Sequence, residues 1–333
     1  MKNYLVTGGL GFIGSHLTEE LLKDDDVIVW IIDDGSSSTW NPMKGRIGQT
    51  DIRSIMVQLM EGYRFKEDPN NPRLIIISGD CAHRNITTRI RAGMFSGVFH
   101  LAADISVTKS IDEPIACLKQ NVEKTLQIAK ACAEGNTKLV FSSSAAVYGN
   151  GIDLACHESF QPFPSNPYGM TKLVVENYLR LYSDLYGLEH VCLRYFNVYG
   201  ERQMGGSPYA GVIGNWMHSL QWDKPLRLDG DGSQIRDFIH VSDVAIANIL
   251  AMNTSIKVTK NLNVGTGKGV TLKYLYETIS AGLEHEVKRE ECRKADITCS
   301  IADIGQAKVY LKWNPEVTLE EGIKRVLKWR GIA

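Results

Sequence analysis

The stretch Tyr4-Leu5-Val6-Thr7-Gly8-Gly9-Leu10-Gly11-Phe12-Ile13-Gly14 is followed at once by Ser15-His16-Leu17-Thr18-Glu19-Glu20-Leu21-Leu22. A short apolar run, a glycine turn and a segment of helical periodicity read as strand, turn and helix. Gly8 permits the tight turn, Gly11 lets backbone approach a pyrophosphate, and Gly14 lets the helix close on the sheet. The helix N-terminus then faces the phosphates. A second strand, 27–32, ends at Asp33, at the expected distance of about 20 residues. A carboxylate there accepts from ribose hydroxyls and repels a 2′-phosphate, so the pattern predicts NAD rather than NADP.

The same alternation continues outward from this unit. Strand 74–77 ends at Gly79-Asp80-Cys81, and strand 98–101 ends in Ala102-Ala103. A long helix is expected over 114–134, containing Asn121. Strand 138–141 delivers Ser142-Ser143-Ser144, helix 167–186 follows, and strand 189–195 leads into Phe196-Asn197-Val198-Tyr199-Gly200. Alternating strands and helices predict an α/β fold, a doubly wound parallel Rossmann sheet with ligands at the strand carboxyl ends. Beyond about residue 200 the alternation weakens, as expected where a second unit begins. Helices at 209–221, 242–253, 271–282 and 318–329, with short strands between them, predict a smaller C-terminal α/β substrate lobe. The division is 1–196 for the NAD-binding domain and 197–333 for the lobe, interleaved with the first. Segment 34–72 is the least readable; 52–60 suggests a short helix.

Tyr168 and Lys172 stand four apart, one turn from each other on a helix face. An ammonium beside a phenol favours the phenolate and lowers its pKa, which makes Tyr168 a usable general base. A hydroxyl of the serine run can orient a substrate hydroxyl. The 333 residues are 44% hydrophobic and 23% charged, with a net charge of −1, so no basic excess argues for nucleic acid. No run reaches the roughly 18 apolar residues of a membrane span. Seven scattered cysteines without a C-x-x-C or zinc-finger spacing point to a reducing compartment and to no metal. With no signal-peptide pattern at the start, a cytoplasmic protein is expected.

Taken in order, these motifs resemble the extended short-chain dehydrogenase/reductase family. The remaining pieces are His100-Leu101-Ala102-Ala103, Tyr168-x-x-x-Lys172, Arg194-Tyr195-Phe196-Asn197-Val198-Tyr199-Gly200, Arg236-Asp237-Phe238-Ile239-His240-Val241 and Asn263-Val264-Gly265. Within the family the chain is most similar to NAD-dependent UDP-sugar 4-epimerases, of UDP-glucose or UDP-N-acetylglucosamine. The resemblance implies a seven-stranded NAD domain, and a homodimer formed through a bundle of the helices at 114–134 and 167–186.

It also implies roles. Gly8, Gly11, Phe12, Ile13, Gly14, Asp33, Asp80, Cys81, Leu101, Ala102, Ala103, Asn121, Ser142, Tyr168, Lys172 and Tyr195 should touch NAD. Asn197, Arg236 and Arg293 should hold the UDP diphosphate, and Val212 should line the substrate site. Ser144, Tyr168 and Lys172 are the catalytic set, with Ser143 the alternative hydroxyl. His100 and His240 are expected to be structural. Dehydratases of the family carry an Asp-Glu pair just after the catalytic hydroxyl, and decarboxylases a Glu. Here Ala145 and Ala146 stand there. That leaves 4-epimerisation through a transient 4-keto sugar, or net oxidoreduction of a nucleotide sugar. Ser300, aligned with a gate that is bulky in enzymes restricted to UDP-glucose and UDP-galactose, leaves room for an N-acetyl group. A UDP-glucuronate-type epimerase, with Arg202 as carboxylate partner, is the alternative. A catalytically silent NAD-binding regulator is disfavoured, because the tyrosine, the lysine and the glycines are all present.

Overall fold

The computed structural model describes residues 1–36, 46–47, 50–51, 66–68, 71–150, 155–206, 210–254, 260–283, 285–291 and 298–332. The helix expected at 52–60 lies outside them. An eight-stranded sheet runs through the molecule. Its order is Lys260–Val264, His190–Tyr195, Lys138–Ser144, Gly97–His100, Lys2–Thr7, Val27–Asp33, Asn71–Ser78 and Lys66–Asp68. Seven of these strands are parallel, as the resemblance implies. The eighth, Lys66–Asp68, adds an antiparallel edge.

Alternation along each strand builds two cores, one on each face. From Lys2–Thr7, Tyr4 and Val6 enter one core and Leu5 the other. From Gly97–His100, Phe99 goes to the first and Val98 to the second. Leu17 and Leu21 of helix Phe12–Leu21, and Val244, Ala247 and Ala251 of helix Val241–Asn253, cover the first face. Ile86 and Ile90 of helix Arg84–Arg91, Ile128 and Cys132 of Lys124–Glu134, and Val175 and Leu179 of Pro167–Tyr186 cover the second. Strand Lys2–Thr7 pairs with both Val27–Asp33 and Gly97–His100. The chain therefore winds outward in one direction, then returns and winds in the other. The crevice at that reversal is where such sheets bind ligands.

The expected helix over 114–134 is interrupted. A π-turn, Lys119–Glu123, sits between Pro114–Leu118 and Lys124–Glu134. It carries the buried Asn121, whose Oδ1 accepts from Asp104 N and whose Nδ2 donates to Asp104 O, both at 2.8 Å. From the second half of the chain, strand Lys260–Val264 joins the large sheet and helix Val241–Asn253 packs on it. The remainder forms a smaller lobe with its own core, around Tyr199, Trp216, Met217, Leu226, Leu275 and Ile323. Its helices are Val212–Gln221, Leu272–Ser280 and Leu319–Arg330. Among the described residues, no helix is long and apolar enough to cross a membrane.

Candidate active site

The turn after Lys2–Thr7 and the turn after Gly97–His100 meet at the sheet reversal. Gly8 has φ +69°, and a Cβ there would stand 2.8 Å from Ala102 N. A Cβ at Gly14 would meet Gly8 O at 2.2 Å. Neither position accepts a side chain while the turn keeps this shape. Helix Phe12–Leu21 begins at Gly11, which offers no side-chain cap, and it has no acid in its first turn. Its leading N–H groups are left to an anion. Asp33 accepts from Leu10 N at 3.0 Å and from Gly35 N at 2.9 Å. Burial raises its pKa, and these hydrogen bonds oppose the rise.

One cleft collects Gly8, Gly11, Phe12, Ile13, Gly14, Asp33, Cys81, Leu101, Ala102, Ala103, Ser142, Ser143, Tyr168, Lys172 and Tyr195. Two expected cofactor residues lie outside this lining. Asp80 is held by Ala82 N and by Lys124 Nζ, both at 2.9 Å. Asn121 clasps Asp104, and Gln120 lines the cleft in its place. Ile105, Gly79, Asp34 and Ser36 also line it. An uncapped helix start, a glycine turn without Cβ atoms and a carboxylate at the next strand end fit the pyrophosphate and ribose of NAD.

At the inner end of the cleft, helix Pro167–Tyr186 starts from Asn166, whose Oδ1 accepts from Gly169 N at 2.8 Å. A Cβ at Gly169 would lie 2.5 Å from Ala146 O, so the helix start closes directly on the end of the serine strand. Ser144 caps the short 3-10 turn Ala145–Tyr148, its Oγ accepting from Ala146 N at 3.2 Å, and stands close enough to Tyr168 to oppose the rise in its pKa. Ser142 Oγ donates to His100 O at 3.0 Å. Ser143 Oγ donates to Glu176 Oε1 at 2.5 Å. The hydroxyl that meets Tyr168 is thus that of Ser144, and the Ser143 hydroxyl is committed elsewhere.

The expected effect of Lys172 on Tyr168 needs correction. Lys172 Nζ donates to Ser142 O at 2.8 Å and lies 5.7 Å from the Tyr168 ring centroid. Burial pushes the Tyr168 phenol up to about 12, partly offset by its hydrogen bond with Ser144. The same burial pushes the Lys172 ammonium down to about 8. Desolvation therefore sets the direction of both shifts.

His100 is buried in a directed chain. Ala102 N donates to Thr7 Oγ1, Thr7 meets His100 Nδ1 at 2.7 Å, and His100 Nε2 meets Thr125 Oγ1 at 2.8 Å. Thr125 in turn donates to Asn121 O. Burial lowers the His100 pKa to about 3, so the ring is neutral and structural. His240 is likewise buried, with Nδ1 at 2.8 Å from Ser242 Oγ and Nε2 at 3.1 Å from Glu201 Oε2.

A second cavity lies in the smaller lobe. Asn197, Val212 and Arg236 line it, together with Asn215, Trp216, Ser219, Arg227, Asp229 and Leu272. Asn197 Nδ2 donates to Asp237 O at 3.0 Å. Fully buried Asp237 accepts from the backbone of Thr266, Gly267 and Ala302, fixing the strand beside Arg236. Ser300 pairs in register with Arg236, so their side chains share a face. Arg202 is not in this cavity. It pairs with Glu19 of helix Phe12–Leu21 at 2.5 Å. Arg293 lies outside the described residues. The lining from Asn215 to Ser219 was legible in sequence only as a helix, without a motif to mark which face is used.

Residues 4–265 match the NAD dependent epimerase/dehydratase family. A putative UDP-glucose 4-epimerase of Methanocaldococcus jannaschii is 34% identical over 98% of this chain and 97% of its own. A UDP-glucuronate 4-epimerase of Thermodesulfobacterium geofontis is 29% identical over 99% and 96%. Among solved structures, the UDP-N-acetylglucosamine 4-epimerase from Methanobrevibacter ruminantium, in complex with UDP-N-acetylmuramic acid, superposes with a TM-score of 0.85. It is 36% identical, over 98% of this chain and 97% of that one.

Proposed function

This chain belongs to the NAD dependent epimerase/dehydratase family, and from that premise we propose that it is an isomerase that inverts C4 of a UDP-sugar. One observation carries the reading. Ser144 reaches Tyr168 at the end of strand Lys138–Ser144, and the turn that follows, Ala145–Tyr148, contains no acid. Eliminating water calls for an acid and a base placed beside the hydroxyl, and this turn has neither.

NAD supplies a reversible hydride acceptor beside Tyr168 and Lys172. Tyr168 Oη takes the proton of the sugar 4-hydroxyl and later returns it. Ser144 Oγ hydrogen-bonds the same oxygen. Lys172 fixes the strand end through Ser142 O and adds positive charge near the phenol. Asn197 and Arg236 hold the diphosphate, remote from the reacting carbon, so the sugar can present either face without release of the nucleotide. Asp33→Ser is expected to relax the choice of cofactor, because it removes the carboxylate that repels a 2′-phosphate. Titration with NAD and NADP checks this, and unchanged discrimination would assign the selectivity to another group.

The small side chain of Ser300 on the face of Arg236 supports a substrate carrying an N-acetyl group, UDP-GlcNAc/UDP-GalNAc, alongside UDP-Glc/UDP-Gal. Ser300→Tyr is expected to suppress the N-acetylated pair and spare the unsubstituted one. The two kcat/KM values measure it, and equal retention of both would dismiss the gate. Arg202, tied to Glu19, offers no support for a uronate carboxylate. Incubation with a panel of UDP-sugars and NMR of the products tests the whole reading. Stoichiometric, persistent NADH would indicate a net dehydrogenase instead.

Helices Val107–Asp112 and Pro114–Leu118 expose Ile111 and Ile115, and helix Pro167–Tyr186 exposes Leu181 and Leu185. The exposed Ile115, Leu118, Leu181 and Leu185 support a homodimer built through the helices of 114–134 and 167–186. Light scattering should give twice the chain mass, and a monomer would refute it.

A further inference from the structure

The helix that carries Tyr168 and Lys172 places a third residue on the same stripe, Glu176, four positions further on. The three residues take hold of three consecutive residues of the serine strand. Tyr168 stands beside Ser144, Lys172 Nζ holds Ser142 O at 2.8 Å, and Glu176 Oε1 receives Ser143 Oγ at 2.5 Å. Glu176 is 4% exposed. Its carboxylate is fixed from the strand side by Arg194, with Nε at 2.9 Å from Oε1 and Nη2 at 2.7 Å from Oε2. Asn261 Nδ2 adds a bond to Oε2 at 2.9 Å. Arg194 is the register partner of both Ser143 and Asn263. The carboxylate therefore joins the helix to three adjacent strands.

We propose that Glu176 is a positioning residue for the catalytic hydroxyls: by holding Ser143 it sets the rotation and register of the strand end from which Ser144 meets Tyr168. Alternation along a strand turns neighbouring side chains to opposite sides. A serine run offers three similar hydroxyls, and nothing in their own chemistry decides which one faces the substrate. Anchoring Ser143 to the helix fixes the strand end at which Ser144 stands beside Tyr168. The anchor lies two turns from Tyr168 and outside the lining of the cleft.

The test is a double-mutant cycle on the full chain with NAD, using Ser143→Ala, Glu176→Gln and the two combined. Each single variant is expected to lower kcat by on the order of 10- to 100-fold, as a small misplacement of reacting groups does, with KM for the UDP-sugar unchanged. The double variant should lose no more than either single, because Ser143→Ala removes the donor of the contact and Glu176→Gln takes away the charge of its acceptor. Should Glu176→Gln fail to fold with Arg194 left unpaired, Glu176→Met with Arg194→Leu replaces the pair by apolar groups and takes its place in the cycle. A purely structural role would lower thermal stability and leave the kcat of the folded enzyme intact. Wild-type kcat in Ser143→Ala, or losses that multiply in the double variant, overturns the inference. Because it rests on the reading of Ser144 and Tyr168 above, an unmodified protein that converts no UDP-sugar overturns both. An active protein whose Ser143→Ala variant runs at full speed overturns this inference alone.

Discussion

Tyr168→Phe is expected to cut UDP-sugar interconversion by about 10²- to 10⁴-fold, the usual worth of a positioned acid–base group. UDP binding should survive, because Asn197 and Arg236 line a separate cavity in the smaller lobe. The substitution removes one oxygen from a half-buried residue of the cleft lining and leaves the ring in place. Its consequence is therefore confined to the proton and to the hydrogen bond with Ser144. The proton is finely balanced. Burial holds the phenol at about 12 even with Ser144 opposing it, so further positive charge must work against desolvation for Tyr168 to act as a base. Product NMR and UDP titration, made on the same preparation, separate lost chemistry from lost binding. Full activity in Tyr168→Phe would sink the mechanism.

Arg194→Met is expected to destabilise the protein by about 3–5 kcal/mol, because it strands the Glu176 carboxylate in the interior. Both side chains of this pair are 2% exposed, and the guanidinium meets both carboxylate oxygens. Removing one partner leaves the other with its full desolvation penalty, whereas replacing both with apolar residues relieves it. The urea midpoint should fall sharply in Arg194→Met and recover in the double variant Arg194→Leu/Glu176→Met. A single variant within about 1 kcal/mol of wild type would mean that the pair behaves like a surface salt bridge.

What was legible in the sequence was local. The glycine turn, the strand that ends at Asp33 and the Tyr168/Lys172 spacing each declare themselves within a few residues, and the doubly wound sheet follows from their repetition. What was not legible depends on distant partners. Glu19 lies 183 residues from Arg202, so nothing near Arg202 shows that its charge is already paired. The Ser143 hydroxyl is taken up by Glu176, 33 residues away, which nothing near the serine run announces. The π-turn at Lys119–Glu123 shifts the face of the helix, which brings Gln120 to the cleft and turns Asn121 to Asp104. A count in steps of 3.6 cannot anticipate that shift. The pairing of Tyr168 with Lys172 was visible, but the sign of the pKa change was not. Depth of burial governs that sign, and spacing carries no measure of depth.

Conversion approached from both sides tests the central claim most directly. The NAD-loaded protein is incubated separately with UDP-GlcNAc and with UDP-GalNAc, and in parallel with UDP-Glc and UDP-Gal, while products are followed by NMR and nicotinamide by absorbance. At least one pair should converge on a single ratio of C4 epimers from either starting sugar, without net formation of NADH. Accumulating NADH with an oxidised sugar, or failure of every pair to interconvert, would contradict the account.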